Sequence, residues 1–240
     1  MNSLGSVIDE TIKALEDLKR SGVTHVEVSR DTLEQFGSRL APSEVTRPEA
    51  DNTAEMKRAE ADAKACTKCA ELSSCRHSVV FGVGNVQAEL MFIGEAPGAD
   101  EDAQGEPFVG RAGQLLTKII EAMGYTRDKV YITNIIKCRP PQNRTPLPDE
   151  VTNCLPYVLQ QIELIQPKVI VALGATALRA LLDVQLGITK MRGHWYTFRE
   201  IPIMPTFHPA YLLRNPAAKR EVWDDMKAVL DKLGRKPRNG

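Results

Sequence analysis

The stretch that decides the fold of this chain is Leu90-Met91-Phe92-Ile93-Gly94-Glu95-Ala96-Pro97-Gly98. Its four consecutive apolar residues predict a short strand that is buried on both faces. The glycines behind that strand allow the backbone to approach a ligand closely. The loop lacks the Gly-Lys-Ser/Thr ending of a phosphate loop and the Gly-x-Gly-x-x-Gly of a dinucleotide fingerprint. A candidate binding loop of another kind therefore follows the first buried strand.

Three more apolar runs share the character of this strand, and helical patterns separate them. The apolar runs are residues 129–136, 169–173 and 202–205, and helical spacing marks residues 112–123, 151–165, 175–182 and 215–233. Buried strands that alternate with helices are typical of a parallel sheet that is covered on both sides. We therefore predict an α/β fold, in which ligands bind outside the carboxyl ends of the strands.

The first quarter of the chain differs from the rest. Residues 7–20 have the spacing of an amphipathic helix, whereas residues 37–54 contain Pro42 and Pro48 and show little apolar periodicity. We predict a small helical or disordered extension with a linker over residues 1–55, followed by the main domain over residues 56–240.

Charge is balanced over the whole chain but not along it. The chain has 31 basic and 31 acidic residues, of which residues 1–62 hold 8 and 13, and residues 63–240 hold 23 and 18. A mildly basic main domain can contact a few phosphates. The N-terminus lacks a basic segment followed by an apolar one, and no apolar run is long enough to cross a bilayer. We therefore expect a cytoplasmic protein that does not enter the membrane.

Four of the five cysteines form two pairs, Cys66-x2-Cys69 and Cys138-x15-Cys154. Four converging thiolates suit an iron–sulfur cluster or zinc, whereas in the cytoplasm a structural disulfide is rare. Spacing alone does not decide between a cluster and zinc, although the wide second gap fits a cluster slightly better, since zinc is more often bound by two tight Cys-x2-Cys pairs. Two alternatives remain: four separately buried cysteines, or Cys75 in place of Cys69 as a ligand.

Polar and aromatic residues follow the predicted strands at the edge where ligands bind. Asn134 ends the second strand and His208 follows the fourth. An asparagine amide offers one donor and one acceptor edge, which matches the edge of a pyrimidine. Phe108 lies in a loop with few apolar neighbours, so it is either a core residue or a stacking platform for a flat ligand. We predict that these residues form one active site.

Two further segments each allow two interpretations. The acidic residues Asp100, Glu101, Asp102 and Glu106 form either a solvated turn or part of the site. The segment Leu212-Leu213-Arg214 places apolar side chains beside a cation. It suits a wedge that enters a duplex with a phosphate contact, or it begins a core helix.

Taken together, these motifs resemble the family 4 uracil-DNA glycosylases, the iron–sulfur branch of that superfamily. The resemblance covers residues 63–233 and leaves residues 1–55 outside. The matching signatures are the two cysteine pairs, Gly94–Gly98, Glu101-Asp102, Gly105–Gly113, Asn134, Lys137–Pro141 and His208–Arg214. Two departures stand out. Ala96 replaces a glycine of some members, and Ala99-Asp100-Glu101-Asp102 has fewer acids than the acid-richer members, which leaves the choice of water-orienting residue open. Residues 139–144 lack the basic, histidine-containing insertion of a related branch that traps uracil covalently, so we do not expect covalent trapping.

The resemblance implies a three-layer α/β/α fold with a central four-stranded parallel sheet. It implies hydrolysis of the N-glycosidic bond of deoxyuridine in double- or single-stranded DNA by a monomer. It also implies a structural [4Fe–4S] cluster, whose ligands would be Cys66, Cys69, Cys138 and Cys154. A protein partner could bind through residues 1–55.

The resemblance also implies roles for single residues. Phe108 would stack on the flipped uracil, and Asn134 would form hydrogen bonds with its polar edge. His208 would donate a hydrogen bond to the uracil oxygen that gains negative charge. Glu101, or Glu95 in its place, would be the catalytic carboxylate that orients water, with Glu101 preferred. Glu95 would line the pocket with Gly94 and Ala96, tethered by Asn143, and DNA contacts would come from Leu212, Leu213 and Arg214. The competing hypotheses are a catalytically weak DNA-binding module and a zinc-stabilised α/β hydrolase of another substrate.

Overall fold

In the described part of the chain, six strands form one mixed sheet, in the order β1-β3-β2-β4-β6-β5. The strands are β1 (Val83–Gly84), β2 (Leu90–Gly94), β3 (Tyr131–Asn134), β4 (Val169–Leu173), β5 (Tyr196–Phe198) and β6 (Ile201–Thr206). The four inner strands β3, β2, β4 and β6 run parallel, as predicted. The edge strands β1 and β5 pair antiparallel with their neighbours.

The structure is a computed structural model, and it describes residue 20 and residues 52–182, 184 and 186–238. Residues 52–238 of this described part contain nine α-helices. They are α1 (Thr53–Lys64), α2 (Ala70–Cys75), α3 (Ala99–Gln104), α4 (Arg111–Ala122), α5 (Pro148–Ile165), α6 (Ala175–Leu182), α7 (Ile188–Met191), α8 (Pro209–Arg214) and α9 (Lys219–Lys232). Short 3-10 helices cover Arg127–Lys129, Pro141–Asn143 and Pro216–Ala218.

The chain divides into two units, Met1–Ala50 and Asp51–Gly240. Apart from residue 20, the described residues all belong to the second unit. The predictions of a helix over residues 7–20 and of most of the linker over residues 37–54 lie outside the described residues. No helix in the described part of the chain has both the length and the hydropathy needed to cross a membrane.

The alternation of side chains along β2 separates the two layers of helices. Leu90 and Phe92 point into the apolar core on one face, where α4 and α9 pack. Met91 and Ile93 point into the core on the other face, where α1, α5 and α6 pack. Because successive side chains of a strand point to opposite faces, a fully apolar strand requires cover on both sides. The predicted three-layer α/β/α fold is confirmed.

The two edge strands were not predicted. β1 has two residues, and the three residues of β5 are all partly exposed. Such short segments have too few residues to show a period in the sequence. They extend the four-stranded parallel sheet at both edges and leave its carboxyl edge, where the candidate site lies, unchanged.

Candidate active site and cysteine-lined cavity

The carboxyl edge of the sheet brings the predicted site residues together. Gly94 and Asn134 are register partners at the ends of β2 and β3, and His208 follows β6. A Cβ atom on Gly94 would collide with Asn134 Oδ1 and would lie 2.5 Å from Phe108 Cζ. Gly94 is therefore required because an amide and an aromatic ring occupy the space beside its backbone.

Two adjoining cavities open at this edge. The smaller, of about 220 Å³, is lined by Ala96, Gly98, Glu101, Phe108, Ala112, Asn134, Asn143, His208 and Ala210. The larger, of about 600 Å³, shares Ala96, Asn143, His208 and Ala210 with it and adds Glu95, Thr176 and Arg214. The structure thus places the predicted aromatic ring, amide and imidazole around one space.

Phe108 is both a core residue and a wall of the smaller cavity. Its side chain is 5% exposed and belongs to the apolar core beneath α4. Its ring lies 5.6 Å from the His208 ring, with an angle of 33° between the planes. The two interpretations of Phe108 in the sequence are therefore compatible, since one ring serves both.

Asn134 carries an unsatisfied polar atom. The residue is 1% exposed, and within the described residues its Oδ1 atom is buried without a hydrogen-bond partner. Leaving a buried acceptor unpaired costs about 1–3 kcal/mol. Because the side chain lines the smaller cavity, a ligand with a polar edge would supply the missing partner. Of the features of this site, the unpaired amide most directly indicates a ligand.

The tautomer of His208 follows from its place at the start of α8. Its Nδ1 atom accepts a hydrogen bond from the Ala210 backbone N–H at 3.2 Å, which leaves Nε2 to carry the proton of the neutral ring. Burial, together with the nearby Arg214 cation, lowers the pKa of His208 to about 4. At neutral pH the side chain is therefore an uncharged donor through Nε2.

We expect this imidazole to make the fold less stable in acid. The pKa of His208 is about 4 in the folded protein and 6.5 for an unperturbed histidine. Between these values the unfolded chain binds the proton that the folded chain resists, so stability falls as the pH falls. His208→Asn should make the loss of Tm between about pH 6.5 and pH 4 shallower. His194→Asn, which changes an exposed histidine, should not. Equal pH slopes in all three proteins would contradict this assignment.

Glu101 lines the smaller cavity and also binds three backbone N–H groups of the surrounding loops. Its Oε2 accepts from the Gly98 N–H at 3.0 Å, and its Oε1 accepts from the Val109 and Gly110 N–H groups at 3.0 Å. An ionised carboxylate has about four acceptor sites, so one remains for the cavity. The predicted water-orienting role of Glu101 stays a prediction.

The other predicted carboxylate, Glu95, lines the larger cavity. It accepts a hydrogen bond from the Thr176 hydroxyl. Asn143, whose side chain was expected to tether Glu95, instead accepts from Arg139 Nε at 2.8 Å. The structure therefore gives Glu95 a partner on α6, which nothing in the sequence indicated.

The structure corrects one of the three predicted DNA contacts. Leu212 is 1% exposed and packs in the core between α4 and α9, so it cannot reach a surface ligand. Leu213 is 38% exposed, Arg214 is exposed and lines the larger cavity, and the neighbouring Tyr211 is 37% exposed. On a helix, adjacent residues point in different directions, so two consecutive leucines cannot share one face.

The four paired cysteines line one small cavity, to which the segment that follows β3 contributes Ile136 and Cys138. Cys66, Cys69, Cys138 and Cys154 surround a volume of about 20 Å³, with Leu72, Arg76 and Ile136 among the other walls. No cysteine of the chain forms a disulfide, and Cys75 is exposed on α2. The structure therefore places Cys69 and not Cys75 with the other three.

Hydrogen-bond donors surround these sulfurs. Arg76 Nη1 donates to Cys138 Sγ at 3.1 Å, the Lys137 backbone N–H donates to Cys154 Sγ at 3.2 Å, and Asn153 donates to Cys69 Sγ at 3.8 Å. Burial raises the pKa of the Cys69, Cys138 and Cys154 thiols, in the last case to about 11. Donors directed at buried sulfurs suit thiolates that a positive centre has deprotonated.

The spacing of these side chains bears on which centre they fit. No three His, Cys, Asp or Glu side chains of the described residues are gathered closely enough to hold one metal ion. Tetrahedral zinc needs its sulfurs at about 2.3 Å from a single point. An iron–sulfur cluster is likewise held by four cysteine thiolates. The four cysteines that line this cavity are therefore a donor set that suits either centre.

Comparison with known proteins agrees with this geometry. Residues 81–227 match the family model described as the Uracil DNA glycosylase superfamily. The type-4 uracil-DNA glycosylase of Thermotoga maritima is 49% identical over 170 residues, which cover 68% of this chain and 87% of the relative. That of Saccharolobus solfataricus is 44% identical over 185 residues, or 73% and 85% of the two chains. The type-5 uracil-DNA glycosylase of Pyrobaculum aerophilum is 31% identical over 183 residues, or 62% and 80%. The chain therefore belongs to the uracil DNA glycosylase superfamily, in its type-4 family.

Proposed function

We propose that this protein hydrolyses the N-glycosidic bond between uracil and deoxyribose in DNA, which releases uracil and leaves an abasic site. The observation that carries this proposal is the smaller cavity, where Phe108, the unpaired amide of Asn134 and the neutral imidazole of His208 meet. A base inside a duplex is out of reach, so the target nucleotide must be flipped into this cavity.

Recognition of the flipped base would use Phe108 against its face and Asn134 along its polar edge. Phe108 offers a rigid ring on which a flat pyrimidine can stack. Uracil presents an N–H donor beside a carbonyl acceptor, and an asparagine amide can pair with both at once. The unpaired Oδ1 of Asn134 would then accept from the base N–H. The hydrogen bond to uracil would thus offset the unfavourable free energy of the unpaired amide in the free protein.

The chemistry separates charge, and the cavity has a group for each sign. As the C1′–N1 bond breaks, electrons move onto the base and its O2 atom becomes negative. His208 Nε2–H would donate to that oxygen, an interaction worth about 3 kcal/mol by analogy with oxyanion holes. The Glu101 carboxylate would stabilise the cationic sugar and orient a water. The water oxygen bonds to C1′, and its proton neutralises the released uracil anion.

We propose that Cys66, Cys69, Cys138 and Cys154 hold a [4Fe–4S] cluster. When bound, the cluster supplies a covalent cross-link and no chemistry at the base. It would join the segment before β1 to the segments that carry β3 and α5. The test is the iron and acid-labile sulfide content of the purified chain, with its visible absorbance. A colourless protein that contains one zinc and no sulfide would contradict the proposal.

DNA would approach the carboxyl edge of the sheet. Exposed Leu213 suits the apolar wedge that fills the space of the flipped base, and Arg214 suits a phosphate contact. The monomeric state, the cytoplasmic location, the choice between single and double strands, and a protein partner for residues 1–55 stay predictions.

One assay tests the activity directly. The purified protein is incubated with an oligonucleotide that contains one deoxyuridine, as a single strand and opposite adenine or guanine, and alkali then cleaves the abasic product. A matched strand with thymine in place of uracil is the control. We expect cleavage of the uracil strands alone, without added cofactor. Equal binding of both strands with no release of uracil would support a binding module instead.

A further inference from the structure

The backbone of Phe108 is strained. Its φ angle is +55°, in the left-handed region that residues with a side chain rarely occupy. Such a conformation persists when its surroundings hold it in place, and it is commonest at functional sites. The contacts that hold the Phe108 backbone therefore determine where its ring lies in the cavity.

Arg127 holds the carbonyl side of this segment. It lies on the 3-10 helix Arg127–Lys129, just before β3, and is half-buried. Its Nη2 donates to the Pro107 carbonyl at 2.8 Å, and its Nη1 donates to the Phe108 carbonyl at 3.2 Å. Nη1 also lies 3.3 Å from the Thr117 hydroxyl oxygen on α4. One planar guanidinium thus fixes two successive peptide groups, which a lysine could not do.

Two other groups hold the remaining sides. Glu101 accepts from the N–H groups of Val109 and Gly110, as described above. Gly113 on α4 touches the Phe108 backbone so closely that a Cβ atom there would collide with the Phe108 carbonyl. Residues 107–110 are therefore held by three groups. Arg127 binds two of their carbonyls, Glu101 binds two of their N–H groups, and α4 packs against the Phe108 backbone.

We propose that Arg127 is a positioning residue, which acts on the reaction through Phe108. Arg127 is not among the residues that line the two cavities, so it lies outside the space proposed for the base. Its hydrogen bonds end on the carbonyl of Phe108 itself and on the one before it. The inference rests on the proposed stacking of uracil on Phe108, and it adds a residue that no motif of the sequence indicated.

The test is a double-mutant cycle on uracil release under single-turnover conditions. Arg127→Met should lower the rate about 10- to 100-fold, because small displacements of a positioning group have effects of this size. Arg127→Lys should lie between Arg127→Met and the unchanged protein. In a Phe108→Leu background, Arg127→Met should change the rate less than threefold. Arg58→Met, which removes an exposed cation on α1, controls for net charge.

A purely structural role predicts a different pattern. It would lower Tm and would multiply the loss of rate in both backgrounds, and that result would overturn the proposal. An Arg127→Met rate within threefold of the unchanged protein would overturn it too. If Arg127→Met does not fold, the same cycle is run with Arg127→Lys, and an equal loss of rate in the unchanged and Phe108→Leu backgrounds would overturn the proposal. Failure of the proposed function is distinct, because the unchanged protein would then release no uracil.

Discussion

We expect His208→Asn to lower the rate of uracil release about 100- to 1,000-fold and to leave the fold intact, because one donor to a developing oxyanion is lost. Asparagine is a strong N-cap residue, and its Oδ1 can replace Nδ1 as the acceptor for the Ala210 N–H. Its side chain is too short to place a second donor where Nε2–H lies. The substitution therefore separates the capping role of His208 from its role in the cavity.

The kinetic pattern identifies the step that is affected. The charge on uracil O2 develops only in the transition state, so kcat and kcat/KM should fall by the same factor. Single-turnover rates, Tm and visible absorbance are measured for His208→Asn and for the exposed control His194→Asn. A His208→Asn rate within tenfold of the unchanged protein would exclude this histidine as the oxyanion donor. Loss of absorbance and Tm along with the rate would point to a core role.

The second large effect is on stability. Cys154→Ala should abolish visible absorbance and lower the free energy of unfolding by more than about 4 kcal/mol, or roughly 10 °C in Tm for a domain of this size. Cys154 is a buried residue of α5, and its sulfur faces the cavity shared with Cys66, Cys69 and Cys138. Loss of one ligand removes the cross-link between chain segments, and it leaves the other three sulfurs, which are partly buried, without their centre.

Cys75→Ala is the matched control for this change. Cys75 is an exposed cysteine on α2, close in sequence to Cys69 but outside the cavity. Its replacement should change the free energy of unfolding by less than about 0.5 kcal/mol and should leave iron content unchanged. Equal iron content in Cys154→Ala and Cys75→Ala would contradict the proposed ligand set.

Much of the site could be predicted from local pattern. The run Leu90–Ile93 predicts a strand buried on both faces, because it is short, wholly apolar and followed by Gly94 and Pro97. Asn134 and His208 follow such strands, and parallel strands deliver their carboxyl ends to one edge. Their proximity therefore followed from chain order alone. The cysteine pairs were recognisable in the same way, by residue type and spacing.

Other features depend on contacts between distant segments, and no local pattern contains them. The sequence left Cys69 and Cys75 as alternative ligands, and only the packing of α2 separates them. It could not tell that Leu212 turns inward and Leu213 outward, since that depends on which face of α8 meets α4 and α9.

By itself, then, the sequence determined the parallel strands, the edge at which the site lies and the residue types gathered there. Tertiary structure alone decided which hydrogen bonds hold those residues. Glu101 accepts from the Val109 and Gly110 N–H groups, Glu95 accepts from the Thr176 hydroxyl, and Arg127 donates to the Phe108 carbonyl. The physical reason is range. Periodicity and turn chemistry act over a few neighbouring residues, whereas a hydrogen bond to a remote carbonyl or carboxylate exists only after the chain has folded.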